Sequence, residues 1–317
     1  MNSPDAALSP SSSGAVSAYG RGWLRPALVA NLVLQMVIIV TGGLVRLTGS
    51  GLGCSTWPQC TPGSFTPVAG QEQGYHSLIE FGNRLMTFVL AAVAIALIYA
   101  ARRWASDRPG FARLTWVPLL GIVAQAVVGG IIVLAGLDPK TVSPHFLLSV
   151  ALVAFSAWLL RRYDEGDGRH VPAVSPRLQG LAHAASGAFA VIVVLGTAVT
   201  GSGPHSGDAD EPVRFGFDPL ITARFHSAAV WVFVAAVVLI AVLSRRDAAD
   251  SSYRSAWDRV LVLALLEGAL GYLQYATQLP WGLVAVHMGL AAVLTAAVTF
   301  AVLSTRVVVP ETVPDTR

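Results

Sequence analysis

The sequence predicts an all-α integral membrane protein of eight transmembrane helices, built as two pseudo-symmetric four-helix bundles. Three observations carry that prediction. Charged residues make up 12% of the 317-residue chain and hydrophobic ones 54%, where soluble domains carry about 25% charged. The mean hydropathy is +0.61, and the apolar residues gather in runs of about 20, the length a helix needs to cross a hydrocarbon core. An internal repeat then divides the runs into two sets of four.

The runs lie at 26–45, 78–101, 112–136, 143–160, 178–200, 223–243, 258–277 and 281–304. A membrane span must satisfy its backbone internally, so each is a helix or a barrel strand; without period-two alternation, they are helices. Residues 1–25 are expected to be a disordered cytoplasmic tail. The first run, from Pro26, is too long for a signal h-region and lacks a small-residue cleavage site after it. The expected units are an N-terminal half at 26–160, a cytoplasmic linker at 161–177, a C-terminal half at 178–304 and a tail at 305–317. Of the 21 lysines and arginines, 16 fall in the tails and even-numbered loops, which places both termini in the cytoplasm. That loop bias also accounts for the net charge of +3, so nucleic-acid binding is not expected. The arginine-rich, lysine-poor composition suits the membrane of a high-GC bacterium.

The repeat rests on four anchors. Gln125-Ala-Val-Val-Gly129 answers Glu267-Gly-Ala-Leu-Gly271 at an offset of 142 residues, and the same offset carries His145 onto His287. Phe81-Gly-Asn83 answers Arg224-Phe-His226 at 143, and Thr48-Gly-Ser-Gly51 resembles Thr200-Gly-Ser-Gly203. Four crossings return the chain to its starting side, so the repeat is parallel, about an axis along the membrane normal.

Ionisable groups within a membrane are costly and tend to mark a site. Five of the seven histidines, His76, His145, His205, His226 and His287, map to the outer third of the membrane or to outer loops. His170 and His183 read as ordinary. Each of the five taken alone could be packing glue between helices. His226 and His287 together fit another role, because both rings can meet at one depth between apolar walls, as a low-spin haem iron requires. A zinc site would more often add a third ligand. In the first half His145 takes the place of His287, but Asn83, a poor iron ligand, stands where His226 does. His76, Glu80, Asn83 and Arg84 share one helical face. A plain Glu80–Arg84 salt bridge is the structural alternative to a reactive acid there. Glu267 reads as supporting or structural, and His205 as a solvated loop histidine. Cys54 and Cys60, the two cysteines, lie in the first outer loop and can form a disulfide, either a staple or a redox-active pair.

The segment Val40-Thr-Gly-Gly-Leu-Val-Arg-Leu-Thr-Gly-Ser-Gly-Leu-Gly-Cys54-Ser-Thr-Trp-Pro-Gln-Cys60 resembles the first outer-loop signature of the haem A synthases. Ile79-Glu80-Phe-Gly-Asn83-Arg84 resembles that family's Glu-x-x-His-Arg pattern, and the likeness runs over about 25–304. The resemblance implies an oxidoreductase that converts the C8 methyl of haem O to a formyl group, giving haem A for cytochrome c oxidase, with water as oxygen source. It implies a haem b cofactor on His226 and His287 and the substrate haem O beside His145, with Glu80 as the base that takes up a proton. Cys54 and Cys60 would pass redox equivalents. Where the family has a second substrate-side histidine this chain has Asn83, so either His76 substitutes or the substrate iron is five-coordinate. The farnesyltransferase that supplies haem O, further copies of the chain and membrane lipids are the expected partners. Two rival readings remain, a diheme b-type electron-transfer protein, which would want two bis-histidine sites, and a haem transporter, which would want broken helices along a central pathway.

Overall fold

A computed structural model describes residues 22–208 and 212–309; most of the expected N-terminal tail and the last eight residues of the chain lie outside the described residues. The N-terminal half contains α1 (Leu24–Leu47), α2 (Tyr75–Trp104), α3 (Pro109–Leu114), α4 (Trp116–Leu134) and α5 (Pro139–Glu165). A short strand β1 (Arg169–Pro172) follows, then α6 (Pro176–Ser202), α7 (Pro219–Arg246), α8 (Ser251–Ala276), α9 (Trp281–Leu303) and β2 (Arg306–Val309). Every run read from the sequence falls on a helix. The run at 112–136 is divided, its first residues forming the end of α3 and the rest α4. Among the described residues, seven helices are long and apolar enough to cross a membrane, α3 and α4 counting as one. The remaining long helix, α8, carries Asp258, Arg259 and Glu267 and falls outside that set.

Local chemistry sets the helix starts. Asp138, Ser175 and Asp218 each precede a proline at the first helical position and accept a backbone N–H from Lys140, Leu178 and Ile221 respectively. This joins a side-chain cap to a residue that has no N–H to lose. Arg102 and Arg103 close α2, and Arg245 and Arg246 close α7, where cations suit both the helix dipole and an inner boundary.

Helix α1 packs on α2 and α5, and α4 packs on the same two; α6 packs on α7 and α9, and α8 on the same two. Each half is therefore a closed ring of four long helices. Within the rings, α2 faces α5 and α7 faces α9 across the diagonal. The seam between the rings is made by α9 against α1 and α5, and by α5 against α6. One core cluster gathers Phe189, Phe233, Tyr253, Trp257 and Val298 in the second ring. Another joins Leu28, Leu97 and Val153 of the first ring to Ala292 and Ala296 across the seam. Lipid tails are as apolar as these side chains, so close packing at small residues rather than hydrophobic burial holds the helices together. The many alanines suit that, and Phe88, Leu120 and Val232 stand on the exposed outside. Buried Asn31 donates from Nδ2 to Ser156 Oγ at 2.9 Å, tying α1 to α5.

Both ends of the seam are tied. At one end β1, within the expected linker, pairs antiparallel with β2. At the opposite end the Gly51 N–H donates to the Gly207 carbonyl at 2.9 Å, and Ser50 and Asp208 form a β-bridge. Arg46, in the last turn of α1, donates to the carbonyls of His205 and Thr200 at 2.7 and 3.0 Å.

Candidate functional site

In the first ring the site grows from the outer end of α2. Glu80 lies one and a half turns into that helix, and its side chain is 6% exposed. One carboxylate oxygen accepts the backbone N–H of Cys54 at 2.6 Å. The other accepts Arg84 Nε and Nη2 at 3.2 and 2.6 Å. The Glu80–Arg84 ion pair read from i, i+4 spacing is thus present, and it does more than pin a helix. Arg84 also donates to the carbonyls of Gln59, Cys54 and Thr56 at 3.1, 3.4 and 2.9 Å. The loop between α1 and α2 is strapped over the acid by these contacts. Cys54 and Cys60, both fully buried, are joined in a disulfide that closes this loop.

Two glycines let the loop descend this far. A side chain on Gly53 would strike the backbone of His76, and one on Gly130 of α4 would strike the Trp57 ring. Arg84 and the two cysteines are therefore brought to Glu80, while its other helical neighbours turn elsewhere. His76 Nδ1 lies 2.8 Å from Ser50 Oγ. Asn83 Oδ1 accepts the Thr41 hydroxyl at 2.8 Å. His145 stands on α5, diagonal to α2, with its Nδ1 buried and unpartnered. Gln125 of α4 donates to the His145 carbonyl at 3.0 Å and to Ser149 Oγ.

The second ring holds His226 on α7 and His287 on α9, the diagonal pair. His226 Nδ1 is 3.1 Å from the Ile192 carbonyl of α6. A carbonyl can only accept, so Nδ1 carries the proton and Nε2 keeps its lone pair. His287 Nδ1 approaches Glu267 Oε1 of α8 to 3.2 Å. The approach lacks hydrogen-bond alignment, and both carboxylate oxygens are otherwise unpartnered. Glu267, expected only to be supporting or structural, is brought to a candidate ligand.

A pattern that the sequence reading missed links the rings. A Cβ built on Gly129 of α4 would lie 3.6 Å from His145 Cε1, and one on Gly271 of α8 would lie 3.7 Å from His287 Cε1. Gly196 of α6 bears the same relation to His226 at 3.4 Å, and Gly42 of α1 to Asn83 Nδ2 at 3.9 Å. Each of these side chains lies against a glycine of a neighbouring helix. The signal was present in the matched strings ending at Gly129 and Gly271.

The remaining histidines take no part in either ring's centre. His205 lies in the outer loop after α6, where burial and the nearby Arg46 guanidinium push its pKa below the usual imidazole value. It is held there through its own carbonyl rather than lying free in solvent. His183 Nδ1 meets the Gln179 carbonyl, and His170 meets Arg162. Among the described residues, no three His, Cys, Asp or Glu side chains converge as a cage for a bare metal ion. The donors of the second ring suit a planar group that brings its own equatorial ligands. They are two imidazoles from diagonal helices, each with a glycine at the ring edge and one with its lone pair fixed by a carbonyl.

Fold and site define a multi-pass membrane protein with histidines and carboxylates buried between its helices. Residues 25–206 match the COX15-CtaA family of cytochrome oxidase assembly proteins. The chain belongs to that family. It is similar to a heme A synthase of Hyphomonas neptunium, 26% identical over 89% of this chain and 92% of that protein. It is also similar to the heme A synthases of Bacillus pumilus, at 31% identity, and Lysinibacillus sphaericus, at 34%. Those two matches each span 43% of the relative's length.

Proposed function

We propose that this protein oxidises the C8 methyl of haem O to a formyl group, giving haem A for cytochrome oxidase. One observation carries the reading beyond the family match: the two rings, although related, are unequally equipped. The first places a buried acid under a disulfide-closed loop and offers one histidine. The second offers two histidines on diagonal helices. A diheme electron carrier would want two equal bis-histidine sites, and Asn83 is engaged with Thr41 instead. The repeat supports reading the halves as pseudo-symmetric bundles with α8 as the eighth span, and the arginine bias supports cytoplasmic termini.

In this reading His226 and His287 hold haem b, which when bound supplies a one-electron redox centre. Haem O, made by a farnesyltransferase, binds the first ring with His145 toward its iron. With water as the oxygen source, R–CH3 + H2O gives R–CHO + 4 H+ + 4 e−, so four protons must leave, and four electrons must pass to an electron acceptor outside this chain. Glu80 is placed to take a proton at its carboxylate, since a base needs hydrogen-bond reach of the group it serves. Arg84 and the Cys54 N–H fix the orientation of that carboxylate, and the strapped loop keeps bulk water from it. The disulfide within the same loop is a two-electron couple, joined to the acid through the Cys54 backbone N–H.

The test is chromatography of haems extracted from the purified protein and from Glu80→Gln. The wild-type protein is expected to yield haem B with haem O and haem A. The variant should retain haem B and accumulate haem O or a hydroxylated intermediate. Haem A formed at the wild-type rate by Glu80→Gln removes the acid from the reaction, and wild-type protein carrying only haem B points to an electron carrier.

A further inference from the structure

The two rings differ at one more matched position. Gln125 in α4 and Glu267 in α8 correspond in the repeat, and each sits one turn before the glycine that faces its ring's histidine. Their side chains behave differently. The Gln125 amide is turned to the His145 carbonyl and Ser149 Oγ, and His145 Nδ1 is left without a partner. The Glu267 carboxylate, 12% exposed, lies 3.2 Å from His287 Nδ1, and neither of its oxygens accepts a hydrogen bond among the described residues.

A carboxylate in this setting is expensive to keep unless it is compensated. No lysine or arginine pairs with Glu267 among the described residues. The imidazole N–H of His287 is the donor within reach, and a small rotation of either group would align them. Donation from Nδ1 leaves Nε2 as the free lone pair, the arrangement the Ile192 carbonyl already gives His226. The two histidines would then have unequal supports, a neutral carbonyl on one and an acid on the other. A carboxylate acceptor makes its histidine a stronger electron donor through the ring than a neutral acceptor does, and such partners orient the ligand as well.

We propose that Glu267 is a positioning residue that fixes His287 for iron ligation and lowers the reduction potential of the iron held in the second ring. The first ring, with an amide at the matched position, lacks this device. The inference rests on haem b being held by His226 and His287. No bond is made or broken in it; it concerns the energy at which one electron enters or leaves that iron.

The experiment is spectroelectrochemical titration of the full-length purified protein at one pH, comparing wild type with Glu267→Gln. The amide keeps the volume and is the residue the other ring uses at this position, so the helix packing is preserved. The expected result is a haem that stays low-spin, with the equilibrium for reduction shifted about tenfold toward the ferrous form, about 59 mV for a one-electron couple. The electron paramagnetic resonance anisotropy should change with it, as it does when axial imidazole donation weakens. A purely structural role would move neither reading. An unchanged potential and spectrum in a haem-loaded Glu267→Gln protein would overturn the role of Glu267 and leave the haem b assignment standing. Wild-type protein with no low-spin haem lost on His226→Ala would overturn that assignment instead. The reciprocal Gln125→Glu gives a second measurement: the potential of haem bound in the first ring should fall, and a value equal to wild type counts against the inference.

Discussion

Replacing Arg84 by methionine tests the strap over Glu80 directly. Methionine keeps most of the stem volume and removes the guanidinium, so the loss is electrostatic. The change deletes both contacts to the carboxylate and the three donations to the Cys54, Thr56 and Gln59 carbonyls. With side-chain exposures of 19% for Arg84 and 6% for Glu80, solvent screens the pair little. Breaking a buried pair by removing one partner costs about 3–5 kcal/mol, because the other charge is left uncompensated. Thr56 and Gln59 are partly exposed, so their freed carbonyls regain water and add little, while the contact to the buried Cys54 carbonyl is the longest of the three at 3.4 Å. At about 2–4 °C per kcal/mol for chains somewhat shorter than this one, the midpoint in detergent should fall by about 6–20 °C. The assay is thermal unfolding followed by tryptophan emission, with Glu80→Gln and the double variant alongside. A neutral amide does not need a counter-charge, so Glu80→Gln/Arg84→Met should be more stable than Arg84→Met alone, with a coupling of about 2 kcal/mol. A single variant within about 1 kcal/mol of wild type, or losses that simply add, would refute the claim that the pair organises this mouth.

Two other expectations follow from the outer loops. Gly130→Ala places a methyl against the Trp57 ring, an overpacking that costs about 1–3 kcal/mol. It should lower the midpoint and shift tryptophan emission to the red; an unshifted spectrum would mean that Trp57 does not rest on α4. His205 has a pKa lowered from 6.5 by burial and then by Arg46, so the unfolded loop binds protons more readily than the folded one. Its contribution to stability is therefore intact above about pH 6.5 and is lost as pH falls through the lowered folded value. Hydrogen exchange at residues 200–208, corrected for intrinsic rates, should rise between pH 7.5 and 5.5, and a His205→Gln protein that responds identically would exclude this histidine.

The helices were legible because a span advertises itself through length and hydropathy, properties of contiguous residues. Even Glu267 and Arg259 did not hide the run that became α8. The break between α3 and α4 was harder, since Thr115 and Pro118 interrupt the helix without interrupting the apolar pattern. For the site, the sequence read the His145–His287 correspondence and the Glu80–Arg84 spacing, both of which depend on register along one helix. It could not read what arrives from elsewhere. The Cys54 N–H on Glu80, the Thr41 hydroxyl on Asn83 and the Ile192 carbonyl on His226 are each supplied by another segment. Glu267 is the instructive case: the sequence reads it as supporting or structural, and the difference between what it and its repeat partner Gln125 touch appears only in three dimensions.

Arg46 belongs to the first ring by sequence and holds the end of α6 and the loop after it by two carbonyls. Five residues later, Gly51 bonds the same loop again. The two outer mouths thus share a lintel. A displacement that widens one, whether to admit a large planar substrate or to discharge the product, drags on the roof of the other. In the proposed function, this shared lintel would couple the redox half and the reacting half mechanically as well as by electrons, so that traffic through one is felt at the threshold of its neighbour.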